Sequence, residues 1–179
     1  MKTILQSLRA LLVFTLLTGA VYPLIVTLLG RAAFADKADG SLIHADGKIA
    51  GSALLAQKTE SARYFWPRPS GGDFATIPSG ASNKGPTSAD LVKAIAERRA
   101  KFGADAPPEM LTVSGSGLDP HISPAAAQKQ AARVAAERKL PTEKVAALIA
   151  QHTEPPQWGI FGEPRVNVLI LNRALDTLP

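Results

Sequence analysis

Few residues of this chain have the type and spacing that catalysis requires. The three histidines, His44, His121 and His152, lie far apart and form no HExxH pattern, and no cysteine is present to act as a ligand or nucleophile. Neither a GxxxxGK[ST] phosphate loop nor a GxSxG nucleophile elbow occurs. The sequence therefore predicts no metal site, no directly bound cofactor and no catalytic centre, and we expect a protein that is not itself an enzyme.

The most unusual polar stretch is LTVSGSGLDPHIS, Leu111–Ser123, which leads directly into an alanine-rich region. Consecutive amides of a Ser-Gly-Ser-Gly turn are able to form an anion-binding nest at the start of the following helix. In the other interpretation, Gly115 and Gly117 permit a tight turn, Asp119 forms an Asx turn and His121 hydrogen-bonds to backbone. The residue types alone favour this second, structural interpretation.

The net charge of +5 lies mostly beside one apolar segment. Lys2, Arg9 and Arg31 flank that segment, so that 17 of the 20 basic residues remain at positions 32–179, against all 15 acidic residues. Such a near balance is that of an ordinary surface, whereas a nucleic-acid-binding domain carries a basic stripe. We therefore expect no nucleic-acid partner.

The apolar segment itself has the length of a membrane span. Ala10–Leu29 holds twenty residues without a charge, which as a helix is roughly 30 Å, the thickness of the hydrocarbon core of a bilayer. We predict a transmembrane helix over residues 10–30 after a short tail, residues 1–9. The alternative is a cleaved secretory signal, because Ala33-Phe34-Ala35 has the form of a cleavage site.

The charges around the span predict its orientation. Lys2, Arg9 and the amino terminus lie before it, whereas the basic residues after it, Arg31 and Lys37, are interspersed with acidic ones. The positive-inside rule counts Lys and Arg, and by those alone the two flanks tie. Because the amino-terminal tail is short and adds its own amine, we expect a cytoplasmic amino terminus and an extracytoplasmic domain, residues 31–179.

One face of the predicted span is suited to packing against another helix. Thr15, Gly19 and Pro23 recur every four residues, and small residues let a second helix backbone approach closely in lipid. The face is a candidate docking surface, although a monomeric tether that merely tolerates these residues fits the pattern equally well.

Positions 31–179 predict one α+β domain. Turn dipeptides around Ser41–His44 favour a hairpin, and residues 64–86, rich in Pro, Gly and Ser, favour a long loop. We expect helices from Thr87 or Ser88 to Lys101, from the cap Ser123 to about Lys139, and from Thr142. Val166–Leu171 is predicted as a buried strand, with a helix reaching Leu178 as the alternative.

A series of short motifs follows the apolar segment in order. They are Tyr64-Phe65 with Arg68-Pro69-Ser70, Ala81-Ser82-Asn83 with Gly85-Pro86, Ser114-Gly115-Ser116-Gly117-Leu118-Asp119-Pro120-His121-Ile122-Ser123, Gln128 with Arg133-Val134-Ala135, and Gly162-Glu163 with Val166-Asn167-Val168-Leu169. With the single span, they resemble the KdpC family, the C subunits of the Kdp potassium-transporting P-type ATPase. Lys84 departs from the family, which usually has an apolar residue there.

The resemblance implies an accessory subunit of an ATP-driven, high-affinity potassium uptake complex in the bacterial inner membrane. Its implied partners are a channel-like, potassium-conducting subunit and a P-type ATPase subunit, which between them handle potassium and ATP. It also implies the role of a catalytic chaperone that promotes ATP binding by the ATPase subunit. Because the predicted domain is extracytoplasmic, we expect it not to contact cytoplasmic ATP itself.

The family motifs mark eight candidate site positions whose role the resemblance does not assign. They are Arg68, Asn83, Ser114, Ser116, Asp119, His121, Gln128 and Arg133. A secreted periplasmic binding or scaffolding protein with a cleaved signal is the competing hypothesis, and a hydrolase is the weakest.

Overall fold

The computed structural model describes residues 2–45 and 47–178. The chain divides into two compact units, Met1–Leu42 and Ile43–Pro179. An apolar helix is followed by a mixed α+β domain, as the sequence predicts.

The first unit is dominated by one long helix. Helix α1, Lys2–Leu16, continues through a π-helical turn, Leu17–Val21, into helix α2, Tyr22–Ala33. Together they form a helix of 32 residues that is long and apolar enough to cross a membrane, with none of its side chains buried. The helix includes residues 2–9 of the segment that we expected to form a short tail. A single helical turn, α3, Ala35–Ala38, follows it.

The π-helical turn ends two residues before Pro23. Proline has no N–H, so it donates no hydrogen bond to the carbonyl four residues earlier, that of Gly19. The helix widens locally, and the Tyr22 N–H donates to the Leu17 carbonyl, five residues back. Such widened turns are the usual local response where a helix ladder is interrupted.

The second unit begins with the predicted hairpin. Strand β1, Leu42–Ala45, pairs with strand β2, Lys48–Ser52. Gly47 adopts a φ of 73°, a left-handed conformation that glycine accepts without a steric penalty. Asp46, the other residue of the predicted turn, lies outside the described residues.

Local signals correctly predict the main helices. After the long loop, helix α4, Ala89–Phe102, begins at Ser88, whose Oγ accepts the Leu91 N–H. Helix α7, Thr142–Gln151, starts at the predicted Thr142. A short helix, α5, Pro108–Leu111, was not predicted.

Helix α6, Pro124–Arg138, begins after its predicted cap and ends close to the predicted end at Lys139. The Ser123 Oγ accepts the Ala126 N–H, which satisfies one of the free amides of the first turn. At the other end Lys139 adopts a left-handed φ of 57°, the conformation that commonly ends a helix.

A small antiparallel sheet has the order β3-β5-β4. Its strands are β3, His121–Ile122, β4, Thr153–Glu154, and β5, Arg165–Asn167. Ile122 pairs with Val166 on one side of β5, and Thr153 pairs with Val166 on the other. The sheet therefore joins the start of α6 to the end of α7.

The predicted strand Val166–Leu171 is correct only as far as Asn167. There the Asn167 Oδ1 accepts the Ile170 N–H and caps helix α8, Val168–Asp176. Since Val168, Leu171 and Leu175 then share one buried stripe, the apolar run covers the core as a helix. The helix alternative is thus correct for most of this segment.

The core of the second unit lies between α6, α7, α8 and the sheet. Alanines on α6 allow close packing, because they add little bulk between neighbouring helices. Its largest fully buried side chains are Phe65, Met110, Ile122, Val134, Val145, Ile149, Val166, Leu171 and Leu175.

Candidate functional site

Buried side-chain amides bind the aromatic segment, residues 62–66, to the helices of the core. The Phe65 N–H donates to the Asn172 Oδ1 at 2.8 Å, and the Asn172 Nδ2 donates to the Phe65 carbonyl at 2.9 Å. Gln130 on α6 makes the same pair of bonds to Trp66, at 2.9 Å and 3.1 Å. Two side chains from different helices therefore hold two consecutive residues of the segment in one fixed conformation.

Arg133, one of the predicted site positions, belongs to the same arrangement. Its guanidinium lies 3.6 Å from the centroid of the Trp66 ring and donates to the carbonyls of Ala62 and Tyr64 and to the Gln130 Oε1. Desolvation lowers the pKa of Arg133 from its ordinary value, and nearby Glu137 offsets part of the effect. Arg133 donates to the protein's own backbone and to Gln130, so the residue positions the segment.

Arg138 holds the other end of the aromatic segment. Only 8% of its side chain is exposed, and it donates to the Arg63 carbonyl at 2.8 Å, the Leu175 carbonyl at 3.1 Å and the Asp176 Oδ1 at 2.7 Å. The Tyr64 ring lies 4.7 Å from the guanidinium, and the Tyr64 hydroxyl also donates to Asp176. The segment, α6 and α8 thus share one network of hydrogen bonds.

A second group of predicted residues surrounds a polar cleft of about 350 Å³. Arg68 Nη1 lies 3.0 Å from Asp119 Oδ2, while Asp119 Oδ1 accepts the His121 N–H at 3.0 Å. Asp119 therefore forms the expected Asx turn and pairs with Arg68. The cleft is lined by Arg68, Glu109, Asp119, His121, Ile122, Ser123, Glu163, Pro164 and Arg165.

Charge in the cleft is only partly compensated. Arg165 pairs with Glu154 at 2.9 Å, and the Glu109 carboxylate accepts the Ser123 N–H at 2.8 Å. Glu163 has no ion pair with the residues that the structure describes. Among those residues no group of three or more His, Asp or Glu side chains is arranged to hold a metal ion.

Two of the four amides of the Ser-Gly-Ser-Gly turn, and the amide that follows it, bond within the domain. The Ser114 N–H donates to the Pro69 carbonyl, the Gly117 N–H to the Ser114 carbonyl and the Leu118 N–H to the Ser116 Oγ. These bonds match the structural interpretation of the turn. The buried Ser114 Oγ has no partner in the described part of the chain.

The turn requires glycine at position 117, so we expect a substitution there to destabilise the domain. It adopts a φ of 70°, and an added Cβ would lie 2.8 Å from the Gly80 carbonyl oxygen. We expect Gly117→Ala to destabilise the domain by about 1–3 kcal/mol through strain and this contact, measured as a lower midpoint in urea. Gly115→Ala is the matched control, because nothing lies within 4 Å of its added Cβ. Equal midpoints for the two variants would show that the turn adapts.

The remaining predicted positions do not reach the cleft. Asn83, Ser116 and Gln128 are exposed, and Asn83 takes a left-handed φ of 53°, which asparagine tolerates. On the long helix, Thr15 and Gly19 line one shallow depression with Leu12, Leu16 and Ala20, and Pro23 is not part of its lining.

Sequence reasoning missed Gln130, Asn172 and Arg138 as positioning residues. One signal for Asn172 was present, since it lies directly beside Leu171 on the apolar face of α8. A polar residue on such a face indicates a buried hydrogen-bond partner.

These features define a class of protein: one apolar helix followed in the chain by a small α+β domain. The polar side chains of that domain chiefly form hydrogen bonds to the domain's own backbone. A family model described as "KdpC: K+-transporting ATPase, c chain" matches residues 4–177. The chain therefore belongs to the KdpC family.

Individual relatives agree with the family model along nearly the whole chain. A protein of Gemmatimonas aurantiaca is 49% identical over 97% of this chain and 94% of its own length. One of Methylococcus capsulatus is 50% identical over 96% of each chain, and one of Dechloromonas aromatica is 48% identical over 99% of each. All three are named potassium-transporting ATPase KdpC subunit.

Proposed function

We propose that this chain is a non-catalytic accessory subunit of an ATP-driven potassium uptake complex, which it assembles and stabilises. Its partners in this proposal are a channel-like, potassium-conducting subunit and a P-type ATPase subunit, which carry potassium and ATP. The family match carries the proposal, because it includes the apolar helix as well as the domain and so relates the chain to KdpC subunits as a whole.

The proposal includes a location and an orientation. The long helix anchors the chain in the bacterial inner membrane, the amino terminus is cytoplasmic and residues 31–179 are extracytoplasmic. In this orientation Lys2 and Arg9 lie on the cytoplasmic side, where the positive-inside rule places basic residues. Protease added to intact spheroplasts should digest the domain, whereas protection of the domain would reverse the proposed orientation.

In this orientation the chain promotes ATP binding by the ATPase subunit without contacting the nucleotide. The proposed extracytoplasmic position of the domain supports an indirect mode of action, because cytoplasmic ATP does not reach that side of the membrane. Calorimetric titration of the full chain with ATP should give no micromolar binding. Removal of the chain should nevertheless weaken ATP binding by the remaining complex.

The test of the accessory role is co-purification. The tagged full chain, extracted in mild detergent, should bring down a channel-like subunit and a P-type ATPase subunit, both identifiable by mass spectrometry. The mature chain should retain residues 1–35. Recovery of a chain that starts after Ala35 and has no partner would instead support a secreted binding or scaffolding protein.

The face of Thr15, Gly19 and Pro23 is proposed to pack against a helix of a partner subunit. An added Cβ at Gly19 meets no atom within 4 Å, so a larger side chain there leaves the helix itself intact. We expect Gly19→Leu to reduce recovery of the partners at least about tenfold, because close backbone approach is lost.

A matched substitution on the same helix controls for added bulk. Ala10 lies nine residues before Gly19, about half a turn away around the axis, and it is equally exposed to the surroundings of the helix. Ala10→Leu should leave recovery unchanged. If both variants recover the partners normally, the helix is a tether without a docking face.

A further inference from the structure

The connection between β4 and β5 exposes a cluster of large apolar side chains. Trp158, Ile160 and Phe161, the apolar tip, are 82%, 78% and 60% exposed. Single exposed apolar residues are common, but a contiguous cluster at the end of a hairpin indicates an interaction surface. The tip has no part in the core, which β5 enters only at Val166.

The apolar tip is held in a defined conformation. The N–H of Gln157 donates to the Phe161 carbonyl at 2.8 Å, and the Phe161 N–H donates back at 3.0 Å. The rings of Trp158 and Phe161 meet edge to face at 5.9 Å. Trp158 also adopts a left-handed φ of 55°, an unfavourable conformation for a bulky residue. A preformed aromatic tip needs little further ordering on binding.

The size of the tip argues against a second copy of this chain as its partner. Two aromatic side chains and one isoleucine bury roughly 400–600 Å² at most, whereas a stable independent dimer needs about 800 Å² from each partner. The tip therefore suits an additional contact within an assembly that other surfaces already hold together.

The charge beside the tip argues against a lipid surface and specifies the partner. Interfacial segments surround their aromatic residues with Lys or Arg, but Arg165, the arginine next to the tip, is paired with Glu154. Glu163 adjoins the tip, lines the polar cleft, and has no ion pair among the described residues. A matching surface must therefore combine an apolar pocket with a cationic rim.

We infer that the apolar tip inserts into an apolar pocket with a Lys or Arg rim on the extracytoplasmic surface of another subunit of the complex. This inference rests on the proposed function. Glu163 then faces the rim, and Trp158 and Phe161 fill the pocket as the central anchors of a small contact.

The test uses the full chain expressed with its complex. A photoreactive phenylalanine analogue at position 158 should crosslink to another subunit, and mass spectrometry should find Lys or Arg near the crosslinked residue. The double variant Trp158→Ala, Phe161→Ala should recover the partner subunits at least about tenfold less well in detergent, the loss expected for a buried aromatic anchor. Glu163→Lys should reduce recovery in the same direction.

Ile77→Ala is the control, because Ile77 is 91% exposed in another loop, and it should recover the partners normally. A wild-type chain without partners would overturn the proposed function and this inference together. Normal recovery by the wild type and by the double variant would overturn the inference alone. So would a crosslink only to lipid or to a second copy of the chain.

Discussion

Asn172→Leu should lower the melting temperature of the domain by roughly 10–20 °C. Leucine nearly preserves the volume, but it removes the Oδ1 acceptor and the Nδ2 donor that serve the Phe65 N–H and carbonyl. Both backbone groups would remain buried without a hydrogen-bond partner, and each would lower the free energy of unfolding by about 1–3 kcal/mol. For a domain of this size, a loss of about 4 kcal/mol corresponds to such a shift.

The measurement is thermal unfolding of the full chain in detergent, followed by tryptophan fluorescence. Gln128→Leu is the matched control, since it makes the same kind of change at an exposed position of α6 and should shift the midpoint by less than about 2 °C. Gln130→Leu should behave like Asn172→Leu, because Gln130 binds the Trp66 peptide groups in the same way. A midpoint for Asn172→Leu that matches the control would mean that the Phe65 peptide finds other partners.

Elements with local signals could be predicted from the sequence. Ser88 and Ser123 predict the starts of their helices, because a capping side chain bonds to an amide only three residues away. The Asx turn at Asp119 is equally local, since its acceptor serves an N–H two residues on. The long apolar helix follows from composition alone.

The short run after Arg165 shows where local reasoning fails. Val166–Leu171 is apolar at every position but one, and such a run fits a strand and a buried helix equally well. Asn167 decides between them, because it is at once the last residue of β5 and the cap of α8. That double role depends on pairing with β3 and β4, which tertiary structure supplies.

The hydrogen-bond network around the aromatic segment also depends on tertiary structure, so the sequence did not predict it. Asn172 binds Phe65 across 107 positions and Gln130 binds Trp66 across 64. A glutamine or arginine on an amphipathic helix is usually solvent-exposed, so Gln130, Arg133 and Arg138 look like surface residues. Their bonds to backbone become visible only once α6 and α8 pack together.

Arg138→Met is expected to destabilise the domain by about 2–4 kcal/mol. Methionine keeps the packing of the aliphatic stem, yet the Arg63 carbonyl loses its donor, the Leu175 carbonyl keeps only backbone donors, and Asp176 loses its closest cation. The loss is large because the guanidinium is mostly buried, so that water replaces its hydrogen bonds poorly. Thermal unfolding should show a midpoint lowered by about 5–15 °C.

Arg173→Met is the control for this prediction, because Arg173 also forms an ion pair with Asp176. The two groups lie 3.5 Å apart, but the Arg173 side chain is 40% exposed, and exposed ion pairs contribute at most about 1 kcal/mol. Arg173→Met should therefore leave the midpoint nearly unchanged. Equal losses for the two variants would assign the stability to the charge of Asp176 and not to the buried bonds of Arg138.

Arg138→Lys separates geometry from charge within the same site. A lysine ammonium retains the positive charge but lacks the planar, multiply donating guanidinium that reaches two carbonyls and a carboxylate at once. We expect its midpoint to lie closer to that of Arg138→Met than to that of the wild type. If Arg138→Lys is as stable as the wild type, one ion pair suffices to hold α8 against the aromatic segment. If it is less stable, the fixed directions of the three hydrogen bonds are what align α6, α8 and residues 62–66.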